Sequence, residues 1–214
     1  MKAIYLVRHA HSEANAGNIS QPDRLIALSE TGRRQADKLA CLLPKPASIF
    51  CSQLNRTCET AAPYAEKWRQ TPQILPELNE FSCLAYEDVA GLDGPQRRPL
   101  TDAFWHQADP ERRTAASKFT LPDSFAGFST RVAVFRQQAG LLPDQAVCFT
   151  HGIWLAMLAW QLLGFESKTS SDMRRFRAWQ LNMPMPNAAV FILNISNDGF
   201  FALRFASEFC ADAA

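Results

Sequence analysis

Short apolar runs alternate with amphipathic stretches along most of this chain. Apolar runs bounded by turn residues are typical of buried strands, and apolar residues spaced three and four apart indicate helices. The predicted strands are residues 3–7, 47–51, 146–150 and 189–194, with an edge strand near 200–206. The predicted helices are residues 30–43, 54–69, 124–140 and 152–163, the first of them N-capped by Ser29. This alternation predicts an α/β fold, a three-layer α/β/α arrangement around a mostly parallel central sheet.

Residues 84–122 interrupt the alternation. Glycines and prolines punctuate this segment at 91, 94, 95, 99, 110 and 122, with only short helical pieces between them. We interpret it as an insertion over the carboxyl-terminal edge of the sheet that covers the substrate. With 214 residues of which 47% are hydrophobic, the chain can bury one core, so we expect a single domain over 1–214.

Charge and cysteine content exclude several classes of protein. The net charge is +1, from 22 basic and 21 acidic residues. The chain therefore lacks the excess of basic residues that is typical of a general nucleic-acid or anionic-membrane binder. No apolar run approaches the roughly 18 residues of a membrane span. The six cysteines have no C-x-x-C spacing, and no secretion signal precedes the first strand. These features predict a cytoplasmic protein with reduced thiols.

Polar and cationic side chains follow three of the predicted strands at the point where each strand ends. Arg8 and His9 come directly after the first strand, Arg56 follows the second, and His151 follows the strand at 146–150. The carboxyl ends of parallel strands meet at one edge of a sheet, where α/β proteins bind their ligands. Guanidinium and imidazole groups gathered there favour an anion, and a phosphate group above all.

The motifs around these residues resemble those of the histidine phosphatase superfamily, also called phosphoglycerate mutase-like. Residues 8–15 read R-H-x-x-S-x-x-N, and residues 52–61 read S-x-x-x-R-T-x-x-T-A. The helix entry L-S-x-x-G-x-x-Q-A at 28–36 and the P-N-A turn at 186–188 are also similar. The resemblance spans about residues 3–194, and Ala10 stands where the family usually has glycine.

This resemblance implies a role for each candidate residue. His9 would be the nucleophile that is transiently phosphorylated, with Arg8 and Arg56 holding the phosphate oxygens. Glu80 would be the general acid, preferred to Glu77 for its spacing to Tyr86 and Glu87. The further expected phosphate or substrate contacts are His151, Ser12, Asn15 and the backbone N–H of Gly152.

Other interpretations of the same residues are open. His9 and His11 could be two metal ligands on one face of an extended strand, but the adjacent Arg8 would repel a cation. We therefore expect neither a metal ion nor another cofactor. The expected function is metal-independent hydrolysis of a small phosphorylated metabolite through a phosphohistidine. The alternatives are a phosphoglycerate mutase-type transfer and a catalytically weak module that binds phosphorylated ligands. Trp154, Trp160 and Trp179 could mark a homodimer contact or the core.

Overall fold

A computed structural model describes residues 1–107, 109–114 and 122–210 of the chain. Its strands are β1 Lys2–Arg8, β2 Ile49–Cys51, β3 Gln73–Ile74, β4 Ala146–Thr150, β5 Val190–Ile195 and β6 Phe201–Phe205. They form one sheet in the order β3-β2-β4-β1-β5-β6. The first four strands are mutually parallel, whereas β5 and β6 are antiparallel to their neighbours. The predicted α/β class is confirmed. β3 was not predicted, because its two exposed residues give no periodic signal.

Helices flank the sheet on both faces. They are α1 Glu30–Leu42, α2 Asn55–Trp68, α3 Tyr86–Val89, α4 Gly94–His106, α5 Phe125–Gln138, α6 Gly152–Leu162 and α7 Ser170–Asn182. Four of these helices, α1, α2, α5 and α6, begin and end within two residues of the predicted bounds. The sequence analysis gave no bounds for α3, α4 and α7. No helix in the described ranges has both the length and the apolar content needed to cross a bilayer.

The alternating direction of side chains along the strands gives the sheet two buried faces, and helices cover both of them. Ile4 and Leu6 of β1 face a cluster built with α4, α5, α6 and α7, whereas Val7 faces a second cluster built with α1 and α2. Successive side chains of a strand point to opposite faces, so one sequence supplies both clusters. Trp154 and Trp160 are buried in the first cluster, and Trp179 packs against it partly buried.

The start of α1 shows why its motif needs glycine. Ser29 caps the helix by accepting a hydrogen bond from the Gly32 N–H at 3.2 Å. A Cβ atom on Gly32 would lie 1.9 Å from the His11 carbonyl oxygen. The glycine therefore allows α1 to pack directly on the chain that leaves β1.

The described part of the predicted insertion packs beside the β1–α1 loop. The Gly94 N–H donates to the Gly17 carbonyl at 3.2 Å, and Arg97 Nη1 donates to Ser20 Oγ at 2.9 Å. Phe104 and Trp105 of α4 are buried in the larger core cluster. Residues 108 and 115–121 of the predicted insertion lie outside the described residues.

Candidate active site

Strand register brings the separated motifs together. Arg8 pairs with Thr150 across β1 and β4, and Cys51 pairs with Phe149 across β2 and β4. The backbone continues this pairing past the strands, because the His9 N–H donates to the Thr150 carbonyl at 2.9 Å. The residues that follow β1, β2 and β4 therefore converge at the same edge of the sheet, as the sequence predicted.

His9 is buried, with 5% of its surface exposed, and its ring is held in one orientation. Nδ1 lies 2.7 Å from the carbonyl oxygen of Ala10. A carbonyl can only accept, so Nδ1 carries the proton and Nε2 of the neutral ring keeps its lone pair. Burial, followed by the positive charges of Arg56 and Arg8, lowers the pKa of His9 well below its ordinary value. The imidazole is therefore uncharged and able to act as a nucleophile.

Arg8 and Gly152 are in close contact at the start of α6. A Cβ on Gly152 would lie 3.1 Å from Arg8 Nε, so a larger residue there would press against the guanidinium. Arg8 Nη1 donates to the Met185 carbonyl, whereas the buried Nε has no hydrogen-bond partner among the described residues. Buried donors are nearly always satisfied, and a phosphate oxygen is a partner that fits this one.

Arg56 contributes the second guanidinium, from the first turn of α2. Its Nη1 donates to Asp23 Oδ1 at 2.8 Å and to the Asp23 backbone oxygen at 3.0 Å. Asp23 belongs to a short 3-10 helix, Asp23–Leu25, in the β1–α1 loop. Sequence reasoning missed Asp23 because no motif or periodicity distinguishes it from other acidic loop residues.

His151 faces His9, with ring centroids 5.2 Å apart, and is fully buried. Its Nε2 lies 2.8 Å from Ser52 Oγ, which lies 2.8 Å from Thr57 Oγ1. Its Nδ1 is buried without a partner in the described residues. Burial, then the charges of Arg56, His9 and Arg8, lowers the pKa of His151 well below its ordinary value. The ring of His151 is therefore neutral in the free site.

The Ser52 and Thr57 hydroxyls can support either charge state of His151. Thr57 Oγ1 donates to the Leu54 carbonyl at 2.8 Å, so its oxygen is an acceptor for Ser52. Ser52 can then donate to Nε2 of a neutral ring, or accept from Nε2 of an imidazolium while donating to Thr57. Both residues lie in the S-x-x-x-R-T motif, which could have identified them.

Glu80 lies at the amino terminus of α6. Its Oε1 accepts hydrogen bonds from the N–H groups of Phe81 and Trp154, both at 3.0 Å, and its Oε2 accepts one from Ile153 at 3.1 Å. Burial outweighs these hydrogen bonds and raises the pKa of the carboxyl group. Oε2 has fewer donors than Oε1 and is the oxygen better placed to carry a proton. The rival candidate, Glu77, is not among the cleft-lining residues, and its Oε2 is buried without a described partner.

An ion pair outside the cleft positions the backbone of Glu80. Arg131 donates through Nη1 to Asp123 Oδ1 at 2.6 Å and through Nη2 to the Glu80 carbonyl at 3.1 Å. Asp123 Oδ2 accepts from the Ser82 N–H at 3.1 Å, which fixes the same segment from its other side. The link of Arg131 and Asp123 to Glu80 was not predicted from the sequence.

Ser12 and Asn15 form the turn after His9. Oδ1 of Asn15 accepts from Ser12 N at 3.1 Å, from Ser12 Oγ at 2.9 Å and from Asn187 Nδ2 at 3.0 Å. Three donors fix the amide, which leaves Asn15 Nδ2 as the donor available to a substrate. The Ser12 hydroxyl is already engaged in this turn, so its contact with substrate stays a prediction.

These side chains line a cleft of about 390 Å³. All eight sequence-predicted site residues are in its lining except His151, which lies behind it against His9 and Ser52. The outer wall comes from the β1–α1 loop and from the end of α7 and the segment after it, namely Gln180, Leu181, Met183 and Met185. Residues 84–122 do not occur in the described lining, and their role in covering a substrate stays a prediction.

The described ranges hold no cluster of three His, Cys, Asp or Glu side chains that could bind a metal ion. The charged groups brought together in the cleft are two guanidiniums and two carboxyl groups. What this site offers chemically is a nucleophilic imidazole, donors for an anion and a proton donor of raised pKa.

Comparison with known proteins shows the family to which the chain belongs. A family model described as the histidine phosphatase superfamily (branch 1) matches residues 4–208. The chain belongs to this superfamily, as the motifs implied.

Individual relatives differ in how much of their length is matched. An adenosylcobalamin/alpha-ribazole phosphatase of Salmonella typhi is 32% identical over 175 residues, covering 77% of this chain and 81% of the relative. A Schizosaccharomyces pombe relative, described as a "probable phosphatase", is 35% identical over 102 residues, so the match spans about half of each protein, 47% and 48%. The crystal structure of the alpha-ribazole phosphatase from Shigella flexneri superposes with a TM-score of 0.70 at 19% identity, covering 97% of both chains. That last likeness shows the shared fold.

Proposed function

We propose that this protein is a metal-independent phosphomonoester hydrolase that acts through a phosphohistidine at His9 on a small phosphorylated metabolite. The observation that supports this most directly is the orientation of His9. Its Nδ1–H donates to the Ala10 carbonyl, with 2.7 Å between the nitrogen and oxygen atoms. This leaves Nε2 as the nucleophilic nitrogen, in a cleft that also contains Arg8, Arg56 and Glu80.

In the first step, Nε2 of His9 attacks phosphorus and the bond from phosphorus to the leaving oxygen breaks. Oε2 of Glu80 gives its proton to that oxygen, so a neutral alcohol leaves. Arg8 and Arg56 donate to the equatorial phosphate oxygens, where charge is spread in the transition state. The Gly152 N–H, at the positive end of α6, adds a neutral donor.

In the second step, water attacks the phosphorus atom of the phosphohistidine. The carboxylate of Glu80 takes a proton from this water, the phosphorus–nitrogen bond breaks, and inorganic phosphate is released. His9 regains its lone pair and Glu80 regains its proton, so both groups return to their starting state. The hydrogen bonds of Arg131 and Asp123 keep Glu80 at one place through both steps.

The opposite pKa shifts of His9 and Glu80 both favour the first step of the reaction. The first step needs His9 neutral and Glu80 protonated, so it runs between the pKa of His9 and the pKa of Glu80. Burial lowers the first pKa and raises the second, which widens the pH range in which both groups hold the protonation states that the first step needs. We also propose that the protein is a histidine acid-type phosphatase, because the first step needs a protonated Glu80.

Hydrolysis of 4-nitrophenyl phosphate in EDTA, with acid-labile protein phosphorylation followed in parallel, tests the proposal. We expect turnover in the wild-type protein, and loss of both turnover and phosphoenzyme in His9→Ala. His106→Ala is the matched control, because His106 is an exposed residue of α4 outside the cleft lining. Activity that requires added metal, or that survives in His9→Ala, contradicts the mechanism.

The same preparations distinguish the two alternatives. Conversion of 3-phosphoglycerate to 2-phosphoglycerate without net phosphate release would identify a mutase. Tight binding of inorganic phosphate without any phosphoenzyme would identify a module that binds phosphorylated ligands.

A further inference from the structure

Negative charge on the cleft wall is the unexpected feature of this anion site. Asp23 lines the cleft, and 28% of its side chain is exposed. One of its carboxylate oxygens accepts from Arg56, and the other, Oδ2, makes no hydrogen bond to a described residue. The cleft thus presents an acceptor with a full negative charge beside the phosphate position.

The described lining offers no cation for a second anionic group. Arg8 and Arg56 are its only Lys or Arg residues, and both belong to the phosphate position. The nearby Arg97 donates to Ser20 Oγ. Arg177 donates to Gln180 Oε1 at 2.7 Å and lies over the Trp105 ring, 5.1 Å from Cζ to the centroid. Neither of these two arginines is in the lining.

Apolar side chains make up most of the remaining wall, and Gln180 is the one uncharged polar residue in its outer part. The apolar residues are Ala14, Ile26, Ile153, Leu181, Met183 and Met185. An anionic substituent placed there would lose water and meet amide groups in place of a cation, and it would also be repelled by Asp23. A hydroxyl or amino group would instead find an acceptor.

We propose that Asp23 is a specificity-determining residue that selects phosphomonoesters whose leaving group is free of a second anionic group and carries a hydrogen-bond donor. This inference rests on the proposed phosphatase function and narrows its substrate class. It excludes phosphorylated carboxylic acids and bisphosphates as good substrates and favours phosphorylated polyols, sugars, nucleosides or amino alcohols without further negative charge.

Two phosphates of matched shape test the charge selection. Glycerol 3-phosphate and 3-phosphoglycerate both carry a hydroxyl beside the phosphorylated carbon, and they differ in a hydroxymethyl group against a carboxylate. We expect kcat/KM to favour glycerol 3-phosphate by about tenfold, which corresponds to about 1.4 kcal/mol. Asp23→Asn should shrink this ratio to about twofold, chiefly by improving 3-phosphoglycerate.

The ratio of the two kcat/KM values distinguishes a role of Asp23 in selecting the substrate from a role only in holding Arg56 in place. Asp23→Asn keeps the backbone oxygen that also accepts from Arg56, and any general effect on phosphate binding changes both substrates equally. Asp37→Asn, on the exposed face of α1, removes the same charge elsewhere and should leave the ratio unchanged. Equal use of both substrates by the wild-type protein, or an unchanged ratio in Asp23→Asn, overturns the proposal.

A binding measurement tests the role of Asp23 in substrate selection independently of the phosphatase proposal. Calorimetric titration of both phosphates into His9→Ala protein, with and without Asp23→Asn, measures the same preference without turnover. A wild-type protein that hydrolyses neither phosphate nor 4-nitrophenyl phosphate would refute the phosphatase function. Preference for glycerol 3-phosphate in the titrations, reduced by Asp23→Asn, would still support Asp23 as the selecting residue, and equal affinities would overturn it.

Discussion

Replacement of Ser52 by alanine tests how His151 is held. Ser52 Oγ is fully buried, lies 2.8 Å from His151 Nε2 and accepts from the Leu54 N–H at 3.1 Å. Ser52→Ala leaves both nitrogens without their partner. Each buried polar group that loses its hydrogen bond costs about 1–3 kcal/mol, so the loss at both nitrogens should lower the free energy of unfolding by about 2–6 kcal/mol. A domain in the middle of the ordinary stability range of about 5–15 kcal/mol stays folded after such a loss.

The effect on catalysis follows from the freed imidazole. Removal of one preorganised donor from an anion site costs about 10²–10³ in rate. Ser52→Ala keeps the ring of His151 but lets it rotate, so we expect a smaller loss, about 10- to 100-fold in kcat/KM. Hydrolysis of 4-nitrophenyl phosphate in EDTA measures this loss, and urea unfolding followed by circular dichroism measures stability.

Ser196→Ala is the matched control. Ser196 Oγ also accepts a backbone N–H, from Phe200 at 2.9 Å. Because Ile195 pairs with Lys2, Ser196 lies at the opposite end of the sheet from the cleft. We expect this variant to lose some stability and to keep its activity within about twofold, since surface changes away from special features are small. A Ser52→Ala protein that is destabilised yet fully active would refute the positioning role of Ser52.

Three further predictions concern Glu80, its support and the α1 contact. Glu80→Gln should lower kcat by about 10²–10³ and abolish the alkaline limb of the pH–rate profile, because the group that deprotonates as pH rises is gone; an unchanged limb measured from pH 4 to 9 would assign it to another residue. Asp123→Asn should weaken the hold of Arg131 on the Glu80 carbonyl and lower kcat by about tenfold with KM nearly unchanged, whereas a change confined to KM in steady-state assays would contradict this role. Gly32→Ala should destabilise the fold by at least about 2 kcal/mol in urea unfolding, because its Cβ would overlap the His11 carbonyl; a stability equal to the wild type would mean that α1 can shift freely.

Most of the secondary structure follows from local pattern. Buried strands are recognised as short continuous apolar runs and helices by apolar residues three and four apart. On these signals β1, β4, β5, α1 and α6 lie within two residues of their predicted bounds. Prediction fails where the pattern is short or irregular. β3 has two exposed residues, and α4 begins with Gly94 and Pro95, which locally resemble a loop.

The chain order of the motifs also determined much of the candidate site. Arg8, His9, Arg56 and His151 each follow a strand, and parallel strands carry such residues to one edge whatever lies between them. The sequence alone therefore predicted that these residues lie together at one edge of the sheet, and it predicted the superfamily to which the chain belongs.

Only the tertiary structure decided how these residues are charged and supported. Burial and neighbouring guanidiniums lower the pKa of His9 and His151, and burial raises that of Glu80, effects that depend on distances between residues far apart in sequence. The pairing of Asp23 with Arg56 joins residues 33 positions apart, without any spacing signal in the chain. Sequence pattern records which face of an element is buried, whereas the electrostatics of a cleft depend on which elements meet there, and packing alone decides that.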